Sequence, residues 1–291
     1  MTTPDPTVRP DQSALGPPDR YLELMKQILT RYLVIDEETY DVGRPPQGWV
    51  RSSGPRERAK SAVRSLLARR GLRLVRTGGD RRLRAVGEDW PPTAETMVGL
   101  ARLDNVQHCI DLVLADGVPG DLIETGVWRG GCSIFMRAVL AARGVEDRSV
   151  WLADSFEGLA PPDARRYPKE YHVDLSTFDE LAVGVDVVKA NFARYGLLDD
   201  QVRFLPGWFA DTLPEAPIRT LALIRLDGDY YESTMTALRA LYPKLSPGGF
   251  VIVDDYQIDA CRAAVADYLG EVGERPELEA VDASSVWWRR S

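Results

Sequence analysis

The sequence predicts an α/β protein: a doubly wound, mostly parallel sheet with helices on both faces, and an added helical region at the N-terminus. From residue 120 onward, short apolar runs alternate with segments of helical periodicity, which is the pattern of a parallel sheet. A glycine-rich turn follows the first apolar run, and aspartates follow two of the later ones. In such a sheet, ligands bind outside the carboxyl ends of the strands.

The first 92 residues precede this alternating part. Residues 1–19 are rich in proline and poor in large apolar side chains, which predicts a disordered tail. Apolar residues at helical spacing predict an amphipathic helix over residues 20–34. We then expect a loop, a second helix and a polar connection at residues 36–55, 56–70 and 76–89. The helical region 20–92 is either packing surface or a lid or oligomer arm, and the sequence leaves these alternatives open.

The sheet domain is predicted to occupy residues 93–291, and it begins with one or two helices over residues 93–114. We expect strands at 121–126, 149–154, 201–206, 220–227 and 249–254, and helices at 131–143, 178–195, 231–243 and 259–270. A closing pair of strands is expected at 277–282 and 285–289. Residues 245–249 give a strong turn signal, and residues 160–174 predict a long surface loop.

The composition excludes several classes of partner. The net charge of −8 argues against a dedicated nucleic-acid surface, because phosphate binding needs clustered Lys and Arg. No apolar stretch approaches the ~20 residues that span a bilayer, and the N-terminus lacks the pattern of a secretory signal. Three cysteines lie far apart without metal-ligand spacing, as is typical of a reduced, cytoplasmic protein. We therefore expect a cytoplasmic location and neither nucleic acid nor membrane as partner.

The first predicted strand leads into a turn that contains Gly126, Gly130 and Gly131. Such a turn brings backbone N–H groups and a helix N-terminus close to a ligand. Trp128 between the glycines is too bulky for close approach of a pyrophosphate, which disfavours a nicotinamide cofactor. S-adenosylmethionine carries a carboxylate in place of a pyrophosphate, so its binding is compatible with Trp128 in the turn. A tight turn without a ligand is the alternative interpretation.

The end of the second strand supplies a carboxylate that agrees with cofactor binding. Asp154 lies roughly 20 residues beyond the glycines, where a cofactor ribose is usually hydrogen-bonded. A helix cap is the other common use of such an aspartate. The candidate segment consists of Asp154, Ser155, Phe156, Glu157 and Gly158.

The third strand is followed by Gly207, Trp208 and Phe209. The two aromatic rings are candidates to flank an adenine, although Trp and Phe are more often core residues.

Three aspartates follow two neighbouring strands, Asp227 after one strand and Asp254 and Asp255 after the next. Their carboxylates would repel one another at a shared sheet edge unless a cation lay between them. A hard divalent ion such as Mg²⁺ is the natural occupant. We predict all three as metal ligands, with Asp227 also at the cofactor. A helix cap is the alternative role for one of the paired aspartates.

Asp229 is predicted to be the general base. A metal-bound carboxylate is a poor base, whereas an unbound neighbour can take a proton from a hydroxyl that the metal has acidified. Asp227 itself and His172, on the long loop, are the alternative bases. His108 lies in a helical stretch and is interpreted as structural.

Several linked segments resemble the macrocin O-methyltransferase (TylF-type) family of sugar O-methyltransferases. The resemblance covers about residues 89–290, and its segments are 120–131, 153–156, 202–209, 226–234 and 253–256. It implies a class I methyltransferase (Rossmann-like) fold and S-adenosylmethionine as donor. It also implies magnesium-dependent methyl transfer to a hydroxyl of a deoxysugar on a glycosylated natural product. The cofactor contacts that it implies are Thr96, Met97, Glu124, Thr125, Gly126, Val127 and Trp128.

Two other functions stay open at this point. One is a methyltransferase that acts on a non-sugar hydroxyl, and the other is a non-catalytic cofactor-binding protein in which the aspartates are caps. We expect a homo-oligomer, either a dimer or a tetramer. Which glycoside serves as acceptor is left open.

Overall fold

The computed structural model describes residues 7, 9, 11–41, 63, 66–67, 69–72, 74–162 and 174–291. The described residues of the N-terminal region include two helices with both ends defined and a small antiparallel sheet. These elements are helix α1 (Pro17–Leu29), strand β1 (Thr39–Asp41), strand β2 (Val75–Thr77) and helix α2 (Arg81–Val86).

Helix α1 differs from the helix predicted over residues 20–34. It begins at Pro17, because a proline in the first helical turn has no N–H to lose and has a φ that is already helical. It ends at Leu29, and Arg31, with a φ of +58°, precedes a 3-10 turn at Tyr32–Glu37. The predicted disordered tail is thus wrong at its C-terminal end, since residues 17–19 are helical.

The other N-terminal elements were also not expected. Strand β1 lies in the predicted loop 36–55, and α2 lies in the predicted polar connection 76–89. Helix α2 is short, but Asp80 caps it by accepting hydrogen bonds from the N–H groups of Arg82 and Leu83. Most of the predicted helix 56–70 lies outside the described residues, and of those described Val63, Leu66 and Leu67 are helical.

A buried arginine holds this region together. Arg84 of α2 donates to Asp89 at 2.8 Å, to Glu38 at 2.6 Å and to the carbonyl oxygen of Thr30 at 2.6 Å. Its side chain and both carboxylates are almost fully buried. Breaking one member of such a buried group leaves an uncompensated charge, so the group ties the end of α1 to α2 and to the chain that enters the sheet domain.

The central sheet has seven strands in the order β5-β4-β3-β6-β7-β9-β8. Strands β3 to β7 are parallel, and β9 runs antiparallel to both β7 and β8. The strands are β3 (Asp121–Thr125), β4 (Val150–Asp154), β5 (Val202–Pro206), β6 (Leu221–Leu226), β7 (Leu245–Val253), β8 (Glu279–Ala280) and β9 (Val286–Arg289). The predicted doubly wound, mostly parallel sheet is confirmed.

Strand β7 departs from prediction at its start. Residues 245–249, predicted as a turn, belong to the strand. The pairing register shifts there, because Leu221 pairs with Leu245 whereas Leu223 pairs with Phe250. Gly248 has a φ of +83°, which only glycine adopts without strain. The turn residues therefore form a bulge within a strand rather than a reversal of the chain.

Six helices of the described chain pack around this sheet. They are α3 (Leu100–Ala115), α4 (Gly131–Ala142), α5 (Val185–Arg194), α6 (Phe209–Thr212), α7 (Tyr231–Leu241) and α8 (Asp259–Val272). The helix predicted over residues 178–195 begins only at Val185, because extended Gly184 caps it and 3-10 turns precede it. No helix in the described part of the chain is long and apolar enough to cross a bilayer.

Both faces of the sheet are buried. Leu122 and Leu223 belong to one core cluster, which also contains Leu22 of α1, whereas the adjacent Ile123 and Ile224 belong to a second cluster. Neighbouring residues in a strand point to opposite faces, so the two clusters lie on opposite sides of the sheet. With both faces covered, polar side chains at the strand ends are left to face a ligand.

Candidate active site

A cavity of about 270 Å³ lies at the carboxyl ends of β3, β4, β5 and β6. Its wall combines residues that the sequence predicted for the cofactor with the predicted base. These residues are Met97, Gly126, Trp128, Asp154, Ser155, Gly158, Trp208, Phe209, Asp227 and Asp229. The structure therefore brings these residues, from segments far apart in the chain, to one cavity.

The glycine turn after β3 forms the floor of the cavity. Gly126 has a φ of +84°, and a Cβ at this position would lie 1.7 Å from the carbonyl oxygen of Asp227. Any side chain would therefore separate the turn from the end of β6, and only glycine permits this contact. The turn thus positions the cofactor segment and the first metal-ligand candidate against each other.

Trp128 stands at the wall of the cavity with a φ of +48°. Its indole Nε1 donates to the carbonyl oxygen of Glu180 at 2.9 Å, and the guanidinium of Arg129 stacks over its ring at 4.1 Å. Phe156 and Asp229 also have positive φ, so three of the four such non-glycine residues in the described chain lie at this edge of the sheet. Conformations of this kind cluster at functional sites.

Asp154 stabilises the same turn through its carboxylate. Oδ2 accepts hydrogen bonds from the N–H of Val127 at 2.6 Å and of Trp128 at 3.4 Å, and Oδ1 accepts one from the N–H of Phe156 at 2.7 Å. Burial raises the pKa of Asp154 above its ordinary value, and these backbone donors oppose the effect. Asp154 therefore braces the glycine turn while it also lines the cavity. No helix follows it in the described residues 155–162, so it is not the helix cap that the sequence offered as an alternative.

Other predicted cofactor residues do not line the cavity: Thr96, Glu124, Thr125, Val127, Phe156, Glu157 and Gly207. Val127 and Phe156 are buried in the core cluster and contact Asp154 through their backbones. Glu124 is buried and accepts hydrogen bonds from Ser133 and Arg225. Burial raises its pKa to about 7. The sequence could not separate residues that line the turn from those that brace it.

The predicted metal ligands do come together. Asp227, Asp254 and Asp255 each offer one carboxylate oxygen, and these oxygens lie within 4.8 Å of one another. Asp255 also accepts a hydrogen bond from the backbone N–H of Asp229 at 3.0 Å. Neither Asp254 nor Asp255 lines the cavity, which they adjoin beside Asp227 and Asp229.

The carboxylates raise one another's pKa. Burial, followed by Asp229 and Asp227, raises the pKa of Asp255 well above its ordinary value. Burial, followed by Asp227 and Asp254, raises the pKa of Asp229 to about 8. Burial also raises the pKa of Asp227, although Arg225 opposes the shift. A cation among these oxygens would lower all three pKa values.

Two arginines that the sequence analysis did not single out contact this group. Arg225, buried in β6, donates to Glu124 at 2.7 Å, to Asp227 at 2.8 Å and to Asp254 at 2.5 Å. Arg102, in the first turns of α3, donates to the other oxygen of Asp254 at 2.5 Å. Burial alone would raise the pKa of Asp254, but Arg102 and Arg225 outweigh it and hold that pKa below its ordinary value.

The two histidines differ in what the structure describes. His172, the alternative base, lies outside the described residues. His108 is in α3, where its ring meets the edge of Trp287 at 5.6 Å between centroids. This packing agrees with a structural role.

A further part of the wall was missed by the sequence analysis. It consists of Leu159, Ala160, Pro161, Pro162 and Leu181, and of Tyr230, Glu232, Ser233 and Thr236 at the start of α7. The proline-rich stretch gave a loop signal, but nothing local indicated that the first two turns of α7 would face the same cavity. Tyr230 is fixed there because its hydroxyl accepts a hydrogen bond from the N–H of Leu175 at 2.9 Å.

Comparison with known proteins agrees with this geometry. A family model described as macrocin-O-methyltransferase (TylF) matches residues 18–290. The chain is 52% identical over 274 residues to 8-demethyl-8-(2,3-dimethoxy-alpha-L-rhamnosyl)-tetracenomycin-C 4'-O-methyltransferase from Streptomyces olivaceus, covering 94% of this chain and 93% of that one. It is 52% identical over 211 residues to mycinamicin III 3''-O-methyltransferase from Micromonospora griseorubida, covering 72% and 83%. The solved structure of the O-methyltransferase NovP superposes with a TM-score of 0.79 and 40% identity, covering 94% and 99%.

Proposed function

Since the chain belongs to the macrocin O-methyltransferase (TylF) family, it is an S-adenosylmethionine-dependent O-methyltransferase, and we propose that it methylates a hydroxyl of a deoxysugar on a glycosylated natural product with the help of magnesium. Relatives named for methylation of a rhamnosyl tetracenomycin and of mycinamicin support a sugar acceptor in antibiotic biosynthesis. Catalysis rather than binding alone follows from the family, which sets aside a non-catalytic cofactor-binding protein.

One observation carries the magnesium part of the proposal, namely the three carboxylate oxygens within 4.8 Å of one another. Oxygen donors with formal negative charge are the ligands of hard divalent cations. The residues present therefore fit such an ion, and Asp227, Asp254 and Asp255 would hold it. When bound, a magnesium ion would lower the pKa of the acceptor hydroxyl.

We assign to Asp229 the role of taking the proton of that hydroxyl. Asp229 lines the cavity, and its backbone N–H donates a hydrogen bond to Asp255. The hydroxyl oxygen then attacks the methyl carbon of the sulfonium, and S-adenosylhomocysteine leaves as the carbon–sulfur bond breaks. The remaining wall residues position the two substrates and exclude water, which accounts for a large part of the rate in reactions of this kind.

The sides of the cavity suggest how the two substrates divide the space. Gly126, Asp154 and the aromatic pair Trp208 and Phe209 all line the cavity, and we assign them to the cofactor. On the side of α7, Glu232 and Thr236 stand four residues apart, so they lie on the same face of the helix. We assign this polar face to the sugar, because hydroxyl groups need donors and acceptors at defined positions.

Methyl transfer to a glycoside is the direct test. Purified protein, S-adenosylmethionine and magnesium are incubated with a rhamnosylated aromatic aglycone, with a deoxysugar macrolide and with each aglycone alone, and products are identified by mass spectrometry. We expect methylation of a glycoside and none of the aglycones. Methylation of an aglycone instead would favour a non-sugar hydroxyl, and full activity after exhaustive EDTA treatment would rule out the role of magnesium.

Replacing Asp154 by alanine is expected to weaken S-adenosylhomocysteine binding by about 1.5–3 kcal/mol, the usual contribution of hydrogen bonds to a charged group. The variant removes the carboxylate of a residue that lines the cavity. It also leaves the N–H groups of Val127 and Phe156 without the acceptor that braces the glycine turn. Isothermal titration calorimetry gives the dissociation constant.

Asp121→Ala is the matched control for this experiment. Asp121 lies at the opposite end of β3 and accepts hydrogen bonds from the N–H of Ser149 and from Nε1 of Trp151, both at 2.8 Å. The Asp121→Ala variant should have a lower melting temperature than the wild type and an unchanged affinity for S-adenosylhomocysteine. An unchanged dissociation constant in Asp154→Ala would mean that this carboxylate serves the fold alone.

Assembly and location stay proposals. The exposed Leu72, Leu74 and Val75 near the small β1–β2 sheet support a role for the N-terminal region as a lid or as a contact between copies of the chain. The molecular mass in solution, measured by light scattering, distinguishes a monomer from the proposed dimer or tetramer. A cytoplasmic location is still a prediction from the sequence.

A further inference from the structure

Arg102 links a candidate metal ligand to a distant turn of the chain. Its Nη1 donates to Oδ2 of Asp254 at 2.5 Å, and its Nε donates to Oδ2 of Asp282 at 2.7 Å. Asp282 lies between β8 and β9, outside the cavity wall. We propose that Arg102 is a positioning residue that fixes the carboxylate of Asp254 for the divalent cation. This inference rests on the proposed metal-dependent function.

Asp254 has the most contacts of the three candidate ligands. Arg102 holds one of its oxygens and Arg225 holds the other, both at 2.5 Å, so the carboxylate is gripped from two sides. Among the hydrogen bonds of the described residues, Asp227 and Asp255 each have one oxygen contacted. A ligand whose orientation is fixed before the cation arrives binds it more tightly, since no further rotamer freedom is lost.

The outer end of this arrangement is itself fixed. The second carboxylate oxygen of Asp282 accepts hydrogen bonds from the N–H groups of Ser284 and Ser285, at 2.8 and 2.9 Å. The side chain of Arg102 is only 10% exposed. A defined turn therefore holds Asp282, Asp282 holds Arg102, and Arg102 holds Asp254.

Electrostatics and positioning make opposite predictions for the loss of Arg102. Removal of a positive charge near a cation should strengthen cation binding if charge alone mattered. Loss of a fixed ligand orientation should weaken it, as is usual when a partner of a metal ligand is removed. The sign of the change in metal affinity therefore separates the two effects.

The experiment measures Mg²⁺ binding to the full chain, with S-adenosylhomocysteine present, by isothermal titration calorimetry. We expect Arg102→Met to bind Mg²⁺ about 10–100-fold more weakly than the wild type, the usual range for lost partners of metal ligands. The dissociation constant of S-adenosylhomocysteine should not change, which shows that the cavity is intact. Arg137→Met is the matched control, because Arg137 is similarly buried and pairs with Asp199 away from the site.

Asp282→Asn tests the same inference through a residue that contacts neither the cation nor the cavity. It should weaken Mg²⁺ binding in the same direction, which the loss of its negative charge alone would also do. The double variant with Arg102→Met separates the two causes, because under positioning it should be no weaker than Arg102→Met alone. Unchanged or tighter Mg²⁺ binding in Arg102→Met and Asp282→Asn, with a wild type that binds Mg²⁺, would overturn the inference but not the metal-dependent function. A wild type that does not bind Mg²⁺ would overturn both.

Discussion

Asp229→Asn is expected to lower kcat by about 10²–10⁴-fold, the usual effect of removing a positioned base. Asp229 has a φ of +60°. Asparagine adopts such a positive φ more readily than most other residues do, so the substitution should not strain the backbone. The hydrogen bond from the backbone N–H of residue 229 to the carboxylate of Asp255 is retained. The loss should therefore reflect proton transfer, and the dissociation constants of magnesium and S-adenosylhomocysteine should stay near their wild-type values.

The pH profile gives an independent check on this assignment. The deficit of Asp229→Asn should shrink as pH rises, because a growing fraction of the acceptor hydroxyl then ionises without a base. Single-turnover kinetics across the alkaline range measure it. If Asp229→Asn turns over normally while His172→Ala is inactive, then His172 is the base and the assignment to Asp229 is wrong.

Asp227→Asn is expected to weaken Mg²⁺ binding by at least about 10–100-fold, since a direct ligand should matter no less than the partner of a ligand. The amide keeps an oxygen toward Arg225 but loses the negative charge that a hard cation needs. Turnover should fall at low magnesium and recover in part at high magnesium. This recovery distinguishes Asp227→Asn from Asp229→Asn, whose defect added magnesium cannot correct.

Asp199→Asn is the control for the loss of a carboxylate that faces an arginine. Asp199 pairs with Arg137 at 2.6 Å, away from the cavity, so its variant should bind magnesium as the wild type does. Asp254→Asn and Asp255→Asn should behave like Asp227→Asn. Normal magnesium binding by an Asp227→Asn enzyme that cannot turn over would identify Asp227 as the base instead.

The sequence predicted which residues would meet at this edge of the sheet because its signals are local. Asp154, Asp227 and Asp254 each follow a short apolar run, and parallel strands bring such ends to one edge. Strands β3 to β6 were accordingly predicted to within one residue at each end. Strand β7 begins four residues earlier than predicted, since Pro247, Gly248 and Gly249 are turn residues that here form a bulge, and β8 is two residues shorter at each end than the strand predicted at 277–282.

The contacts that fix the carboxylates join residues that are far apart in sequence. Arg102 and Asp254 are separated by 152 residues, and no pattern near either one connects them. Arg225 did leave a signal, because it interrupts an otherwise apolar strand whose six residues are all buried. A buried charged side chain requires a partner of opposite charge, so Arg225 in this strand predicts that carboxylates lie beside it.

The link from Arg102 to Asp282 has a consequence for how the protein is made. The two residues are 180 positions apart, and a ribosome that adds about 5–20 residues per second needs roughly 10–40 s to pass from one to the other. During that interval the nascent chain already contains the glycine turn and then the aspartates that follow β6 and β7. The turn that anchors Arg102 is synthesised after all of these, so a product that terminates before residue 282 can carry every described residue of the cavity wall and still lack a finished form of the proposed cation site.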